Sequence, residues 1–167
     1  KIKFLNGPQN SWIMNLTKIK SNAKINLALN VIGKNGKLHK IESLIAFIEL
    51  HDLIFIKKIR SKNHSIIFSG KFSKNINSKN TVSKLFKFLD KKRLIHQKYL
   101  IKIIKNIPQK SGLGGGSMNA ANILKYFIKR KIIQLSTKQI SEIAEYVGSD
   151  VILGLDSTNS ILTSEKK

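Results

Sequence analysis

The sequence predicts an α+β domain, in which an antiparallel or mixed sheet forms one layer and helices form the other. Residues 24–32 alternate between apolar and polar side chains, which is typical of a strand with one buried face. Residues 80–89 and 120–130 instead carry apolar side chains at helical spacing. These patterns follow the order strands, helix, strand, helix, helix, strand, and that order indicates two packed layers.

The N-terminal half is predicted to consist mainly of strands. We expect the buried face of the first strand to carry Ile25, Leu27, Leu29 and Val31. An Asn35-Gly36 pair then predicts a tight hairpin turn. Further strands are predicted from the apolar runs at 41–50, 53–56 and 65–68. Residues 70–80 are polar and indicate a loop.

The last third of the chain carries clear helix boundary signals. Ser136 followed by Gln139 forms a capping-box pattern, and Gly148 is placed to end the helix that the box begins. The apolar run at 151–153 predicts a short buried strand, and residues 159–163 predict another. We find no internal repeats.

Composition narrows the class of protein. The chain has 167 residues, 41% of them hydrophobic, and no cysteine, which excludes disulfides and thiolate metal sites. It has no run of 18 apolar residues, so no membrane span is predicted, and we expect a cytoplasmic protein. The net charge of +22 would suit nucleic acid, but only Arg60, Arg93 and Arg130 are arginines, the residue that nucleic-acid readers favour. The lysines are spread along the whole chain, which indicates that the positive charge reflects compositional drift rather than a nucleic-acid-binding surface.

The most informative stretch is 108–121, which contains four glycines in five positions. It follows an alternating run at 99–107, typical of a strand, and it leads directly into the helical pattern that begins near residue 120. Glycines lose much backbone entropy on folding, so this density indicates that the backbone must approach something closely. A helix start offers unpaired N–H groups and a positive dipole end. The stretch therefore predicts an anion cradle, with phosphate as its guest.

Two familiar phosphate loops do not fit the glycine stretch. A Walker A loop would end in Gly-Lys-Ser/Thr, but Gly116 is followed by Ser117 and Met118. A dinucleotide fingerprint would need an acidic residue about 20 positions further on, where this chain has residues 133–135, Ile-Gln-Leu. A flexible linker is also unsuitable, because linkers do not lie directly between a strand and an amphipathic helix.

Asp150 and Lys24 are the candidate chemical groups outside the glycine stretch. Asp150 lies between a helix-ending glycine and an apolar run, where a carboxylate could act as a general base, although a simple turn aspartate is the plainer interpretation. Lys24 lies on the polar side of the first strand, and a solvated strand lysine is the plainer interpretation there. Asp52 is interpreted as a turn residue. His39 follows the hairpin turn, and the four histidines show no metal-ligand spacing.

Taken together, these segments resemble the GHMP family of small-molecule kinases, named for galactose, homoserine, mevalonate and phosphomevalonate. The resemblance lies in five segments that occur in family order and spacing, at 23–27, 36–39, 80–82, 105–121 and 148–151. It implies the two-layer α+β N-terminal kinase fold, which also occurs in ribosomal and RNA-processing proteins. The opening Ala-Lys-Ile-Asn-Leu with a downstream His39 is similar to the branch that acts on a cytidine-diphosphate ester of methylerythritol.

The resemblance implies transfer of the ATP γ-phosphate to a hydroxyl of that small molecule, a step of non-mevalonate isoprenoid synthesis. Asp150 matches the catalytic base, and Lys24 matches the lysine that orients it and stabilises charge. The implied ATP-binding set is Pro108, Lys110, Ser111, Gly112, Leu113, Gly114, Gly115, Gly116, Ser117, Asn80 and Lys105. Asn26 and His39, with Asp150, match substrate contacts. Mg²⁺ would accompany ATP, with Ser117 as a candidate ligand.

The resemblance also implies a domain plan. Residues 1–13 form an extension of uncertain origin, residues 14–163 form the N-terminal ATP-binding domain, and the family's C-terminal domain is absent, so we expect weak activity from this chain alone. The expected partner is a small-molecule substrate, with no specific nucleic acid and no membrane. Two alternatives stay open: another GHMP kinase of homoserine or mevalonate type, and a lysine-rich nucleic-acid-binding domain.

Overall fold

The structure, a computed structural model, describes residues 16–35, 38–156 and 160–163. The predicted N-terminal extension at 1–13 lies outside these ranges. In the described part of the chain the elements are, in order, β1 Thr17–Asn35, β2 Leu38–Ile59, β3 Ser65–Ser69, α1 Thr81–Lys91, β4 Lys98–Ile104, α2 Gly115–Lys129, α3 Thr137–Val147, α4 Asp150–Asp156 and β5 Ser160–Thr163.

The strands form one mixed sheet in the order β1-β2-β4-β3, with β5 also paired to β2. The pairs β1–β2, β2–β4 and β2–β5 are antiparallel, whereas β3 and β4 run parallel. On one edge of β2, β4 pairs with residues 53–59 and β5 pairs with residues 42–45. Residues 46–52 of β2 therefore form a gap between these two neighbours. The predicted α+β class, with a mixed sheet packed against helices, is confirmed.

The core lies between the sheet and the helices. The sheet contributes Ile54 and Ile101, which are fully buried, while Leu85 of α1 and Phe127 of α2 are fully buried against them from the helical layer. Burying an aliphatic or aromatic side chain of this size contributes roughly 1.5–3 kcal/mol. This packing fixes α2 across the sheet and so determines where its N-terminus points.

The helix boundaries follow the local signals in the sequence. Asn80 caps α1 by accepting a hydrogen bond from the Ser83 amide at 3.0 Å. Ser136 and Gln139 form the predicted capping box at the start of α3, and Gly148 ends that helix with φ of 153°. Such a φ favours glycine, because L side chains seldom adopt it.

Three predictions about strands were wrong. The runs at 41–50 and 53–56 form one continuous strand, β2, rather than two. The predicted strand at 151–153 is instead part of the helix α4, because residues from Gly148 onward form helical hydrogen bonds, such as Val151 N–H to the Gly148 carbonyl at 3.1 Å. A run of three apolar residues cannot by itself distinguish a buried strand from a buried helical turn.

The predicted buried face of β1 was also wrong in part. Leu27 is 60% exposed, and the side chains of Leu29 and Val31 lie outside the described residues. Bulges shift the β1–β2 register between Asn22 and Lys24 and again between Asn26 and Ala28, so strict alternation is lost. One consequence is that Lys24, on the predicted polar face, is buried.

The β1–β2 connection agrees with the predicted hairpin. Asn35 pairs with Leu38, and residues 36–37 between them lie outside the described ranges. No helix in the described part of the chain is both long and apolar enough to cross a membrane.

Candidate active site

The glycine stretch connects β4 to α2, as predicted. β4 ends at Ile104 and α2 begins at Gly115, with Gly114 as its N-cap in the left-handed conformation (φ of 67°). Gly114 has no side chain to accept a hydrogen bond from the first helical amides. Those amides have no partner within the helix, and they lie at the positive end of its dipole. The arrangement can bind an anion.

A cavity of about 440 Å³ opens over this helix start. One wall is the glycine stretch itself, from Pro108 to Ser117, and the opposite wall comes from the loop before α1 and its first turn. All eleven residues that are expected to contact ATP line this cavity: Asn80, Lys105, Pro108, Lys110, Ser111, Gly112, Leu113, Gly114, Gly115, Gly116 and Ser117.

Three of the glycines allow other parts of the protein to approach the helix start closely. A Cβ atom on Gly114 would lie 2.8 Å from the Lys24 Cγ, and one on Gly115 would lie 3.2 Å from the Lys105 Nζ. A Cβ on Gly116 would lie 3.0 Å from the Thr81 hydroxyl oxygen, which donates to the Gly116 carbonyl at 2.7 Å. The glycines thus bring two lysine side chains next to the first turn of α2, in addition to exposing backbone amides.

Lys24 and Asp150 form an ion pair beside the start of α2, with 3.3 Å between Nζ and Oδ2, although neither residue lines the cavity. The Lys24 side chain is 9% exposed, whereas that of Asp150 is 36% exposed. The Lys24 amide donates to the Leu113 carbonyl at 3.0 Å, which ties β1 to the glycine stretch. The Lys24 ammonium also donates to Asn26 Oδ1 at 3.4 Å. A carboxylate, an ammonium and a helix start are therefore adjacent.

A second ion pair, between Lys105 and Asp52, lies beneath the cavity and is buried. Asp52 Oδ2 accepts hydrogen bonds from the Lys105 ammonium and, at 2.8 Å, from the side-chain amide of Asn119. Asp52 Oδ1 accepts from the backbone amides of Asn106 and Ile107 at 2.8 and 2.9 Å. The prediction that Asp52 is a turn residue was wrong, because it lies within β2 and its side chain is fully buried.

A weak sequence signal for Asp52 does exist. It lies at the start of an apolar stretch, residues 53–56, in a chain that has only nine acidic residues. An acidic residue in such a stretch must be paired if the stretch is buried. Its partners could not be identified from the sequence, because Lys105 is 53 positions away and is one lysine among many.

Side chains within the loop hold its shape. The Ser111 hydroxyl donates to the Pro108 carbonyl at 2.9 Å. The Gln109 amide donates to the carbonyls of Phe72 and Lys74 at 2.8 and 2.7 Å, which links the two walls of the cavity. Gln109 was not among the predicted site residues.

The remaining predicted site residues differ in what the structure says of them. Lys110 lies in the loop with φ of 56°, a conformation that only a few per cent of non-glycine residues adopt. Asn80 lines the cavity, but its side chain is also occupied in capping α1. Asn26 is exposed beside Lys24. His39 lies on β2 opposite Lys34, and its side chain is outside what the structure describes.

The donor set suits a magnesium ion that arrives with a nucleotide. The described residues contain no group of three His, Cys, Asp or Glu side chains that could hold a metal. Mg²⁺ commonly needs only one or two protein oxygens, because phosphates and water complete its shell. Ser117 offers one such oxygen in the first turn of α2, and a Cβ on Gly148 would lie 3.5 Å from it.

Comparison with known proteins points to one family. Residues 80–162 match the family described as "GHMP kinases N terminal domain". A 4-diphosphocytidyl-2-C-methyl-D-erythritol kinase of Pelagibacter ubique is 57% identical over 152 residues, which is 90% of this chain and 54% of the relative. The protein of the same name from Finegoldia magna is 35% identical over 136 residues, 81% of this chain and 49% of the relative. The chain thus spans about half the length of these curated relatives.

Solved structures give the same fold. A crystal structure of 4-(cytidine 5'-diphospho)-2C-methyl-D-erythritol kinase superposes with a TM-score of 0.69 at 22% identity, covering 87% of this chain and 51% of that one. Homoserine kinase from Cytophaga hutchinsonii superposes with a TM-score of 0.55 at 14% identity, covering 88% of this chain and 44% of that one. At these identities the structural likeness establishes the fold and nothing finer.

Proposed function

We propose, on the premise that residues 80–162 belong to the GHMP kinase N-terminal domain family, that this chain binds ATP and phosphorylates 4-diphosphocytidyl-2-C-methyl-D-erythritol on a hydroxyl group. The name shared by its relatives at 57% and 35% identity supports this substrate. The protein would act in the cytoplasm, in the non-mevalonate route to isoprenoids.

ATP would bind in the cavity over α2. The γ- and β-phosphates accept hydrogen bonds from the first amides of that helix, where the dipole favours negative charge. Lys105 and Lys110 supply positive charge from below and from the loop, and both line the cavity. Asn80 lines the opposite wall and holds the loop before α1 in place through its cap. Phosphoryl transfer depends mainly on such positioning and charge stabilisation.

The observation that carries the proposal is the 3.3 Å ion pair between Lys24 and Asp150. Asp150 accepts the proton of the substrate hydroxyl while the hydroxyl oxygen bonds to the γ-phosphorus and the bond to ADP breaks. Lys24 orients the carboxylate and stabilises charge on the transferred group. Asn26, which is hydrogen-bonded to Lys24, and His39 would contact the substrate.

Magnesium would be held by Ser117 together with the ATP phosphates. The ion would neutralise charge on the β- and γ-phosphates. The roles of Asp150 and Lys24 in moving the proton do not depend on where the ion sits.

The test combines binding and transfer. We expect saturable ATP binding in calorimetric titration, and label transfer from [γ-³²P]ATP to 4-diphosphocytidyl-2-C-methyl-D-erythritol in preference to homoserine or mevalonate. Because general-base catalysis contributes roughly 10²–10⁴-fold, Asp150→Asn should lower transfer by about 100-fold or more and leave ATP affinity unchanged.

Glu145→Gln is the matched control, because it removes an exposed carboxylate from the neighbouring helix α3. Transfer that persists in Asp150→Asn, or that falls equally in Glu145→Gln, would contradict the assignment of the base. Transfer to homoserine or mevalonate instead would preserve the kinase and change its substrate.

A further inference from the structure

The Asp52 carboxylate lies at a break in the sheet. The pairing of β2 with β4 stops at Leu53, opposite Ile104. Asp52, the residue before it, has no strand partner on that edge of β2, although it pairs with Ser21 of β1 on the other edge. At the same point β4 ends and the chain turns toward the glycine stretch. Asp52 therefore faces the corner at which the phosphate loop leaves the sheet.

The donors that Asp52 binds lie at the corner after β4 and on the residues beneath the start of α2. Two are the backbone amides of Asn106 and Ile107, which form the corner itself. One is the Asn119 amide, in the second turn of α2, and the last is the Lys105 ammonium. A fully buried carboxylate is costly without partners, and these four satisfy both of its oxygens.

The Lys105 ammonium has a second neighbour besides Asp52. A Cβ on Gly115 would lie 3.2 Å from the Lys105 Nζ, so the ammonium lies directly beneath the first residue of α2. Lys105 is 4% exposed and still lines the cavity. A flexible lysine side chain of this kind would occupy many positions if nothing held its end, and each immobilised side chain costs conformational entropy on binding.

We propose that Asp52 is a positioning residue for phosphate binding, which holds the Lys105 ammonium under the start of α2 and fixes the corner that carries the loop. This inference rests on the proposed function, because it takes the guest of the cavity to be a polyphosphate. Asp52 would act on the bound polyphosphate only through Lys105 and the backbone amides of Asn106 and Ile107.

The alternative is a purely structural role, in which Asp52 stabilises the fold and affects every ligand alike. A mutant cycle in ligand affinity separates the two roles. The probes are inorganic tripolyphosphate, which occupies only the phosphate subsite, and adenosine, which carries no phosphate. The variants are Asp52→Asn, Lys105→Met and the double variant Asp52→Asn/Lys105→Met, each examined by circular dichroism for folding and by calorimetry for binding.

We expect Asp52→Asn to weaken tripolyphosphate binding by about tenfold, with adenosine binding unchanged. The double variant should bind tripolyphosphate within about twofold of Lys105→Met alone, because Asp52 has no ammonium left to hold. Asp90→Asn is the matched control, since it breaks an ion pair to Lys98, with 2.8 Å between Nζ and Oδ1, that does not line the cavity. It should bind both probes as the unchanged chain does.

Five outcomes would overturn the proposal. The first is that Asp52→Asn binds tripolyphosphate as tightly as the unchanged chain does. The second is that Asp52→Asn loses equal affinity for adenosine and for tripolyphosphate. A third is a further tenfold loss in the double variant relative to Lys105→Met. If Asp52→Asn fails to fold, the double variant, which replaces both charges by neutral groups, decides: wild-type tripolyphosphate affinity there overturns the proposal. If the unchanged chain binds no tripolyphosphate, the proposed function fails as well, which distinguishes the two failures.

Discussion

Two lysine–aspartate pairs lie next to the start of α2, and they differ in almost every physical respect. In the Lys24–Asp150 pair the carboxylate side chain is 36% exposed, and 3.3 Å separates Nζ from Oδ2. In the Lys105–Asp52 pair the carboxylate is fully buried and accepts from three further donors. The first pair lies beside the helix start, and the second lies beneath it.

The difference indicates what each carboxylate can do. A carboxylate that must accept a proton from a substrate needs an accessible oxygen with a free lone pair, which Asp150 has. A carboxylate with both oxygens occupied by donors is held in one orientation, which suits Asp52 to positioning. The roles proposed for the two pairs therefore differ, and the number of donors around each carboxylate separates them.

The largest effect should come from removing one partner of the buried pair. Asp52→Ala leaves the Lys105 ammonium buried without a counter-charge, and we expect a loss of about 3–5 kcal/mol in the free energy of unfolding. Asp150→Ala removes a partly exposed partner and should cost about 0–1 kcal/mol. Urea denaturation of both variants tests the comparison. Equal losses would show that the two pairs are energetically alike.

A smaller effect should separate two glycines of the loop that share a backbone conformation. Gly112 and Gly114 have φ of 76° and 67°, so alanine at either position should cost about 1–2 kcal/mol of stability for the strained backbone. The new Cβ at Gly114 would also lie 2.8 Å from the Lys24 Cγ, whereas nothing lies within 4 Å of one at Gly112.

Gly114→Ala should therefore also displace Lys24 from Asp150 and reduce phosphoryl transfer by about tenfold or more, since small misplacements of catalytic groups are costly. Gly112→Ala serves as the control, because it carries the backbone strain without the contact. Unfolding in urea and label transfer from ATP are measured for both variants. Similar transfer rates in the two would mean that the Lys24 contact does not matter.

The smallest effect concerns a third carboxylate, Asp90, which is shared between Lys98 and His64 and lies away from the cavity. Burial lowers the pKa of His64 below 6.5, an effect that Asp90 partly opposes and Lys98 reinforces. The His64 Nδ1 accepts from the Tyr99 amide at 3.1 Å, which requires an unprotonated nitrogen there.

Since the pKa of His64 is lowered in the folded state, His64 takes up a proton in the unfolded chain at a higher pH than in the folded chain. The contribution of neutral His64 to the free energy of unfolding is therefore complete above about pH 6.5 and is lost as the pH falls below that value. We expect urea stability to decline modestly between pH 7 and pH 5, and His64→Gln to reduce that decline. His96→Gln, at an exposed histidine, is the control and should leave it unchanged. A decline of the same size in His64→Gln would contradict this account.

The local features of the fold were predictable from the sequence. The strand–loop–helix unit at 99–130, the capping box at Ser136 and the helix end at Gly148 all depend on contacts between residues a few positions apart. The glycine-rich start of α2 was predictable for the same reason, because the glycines and the helical pattern are adjacent in the chain.

The sequence by itself therefore determined the two-layer class, the helix ends and the place of the glycine-rich helix start. Only the tertiary structure decided which carboxylate is saturated and which is accessible, and it exposed Leu27 where alternation predicted burial. The reason is that these properties depend on bulges in β1 and on contacts between residues as far apart as Lys24 and Asp150. Such contacts form only when separate elements pack together, and no local pattern of side chains encodes them.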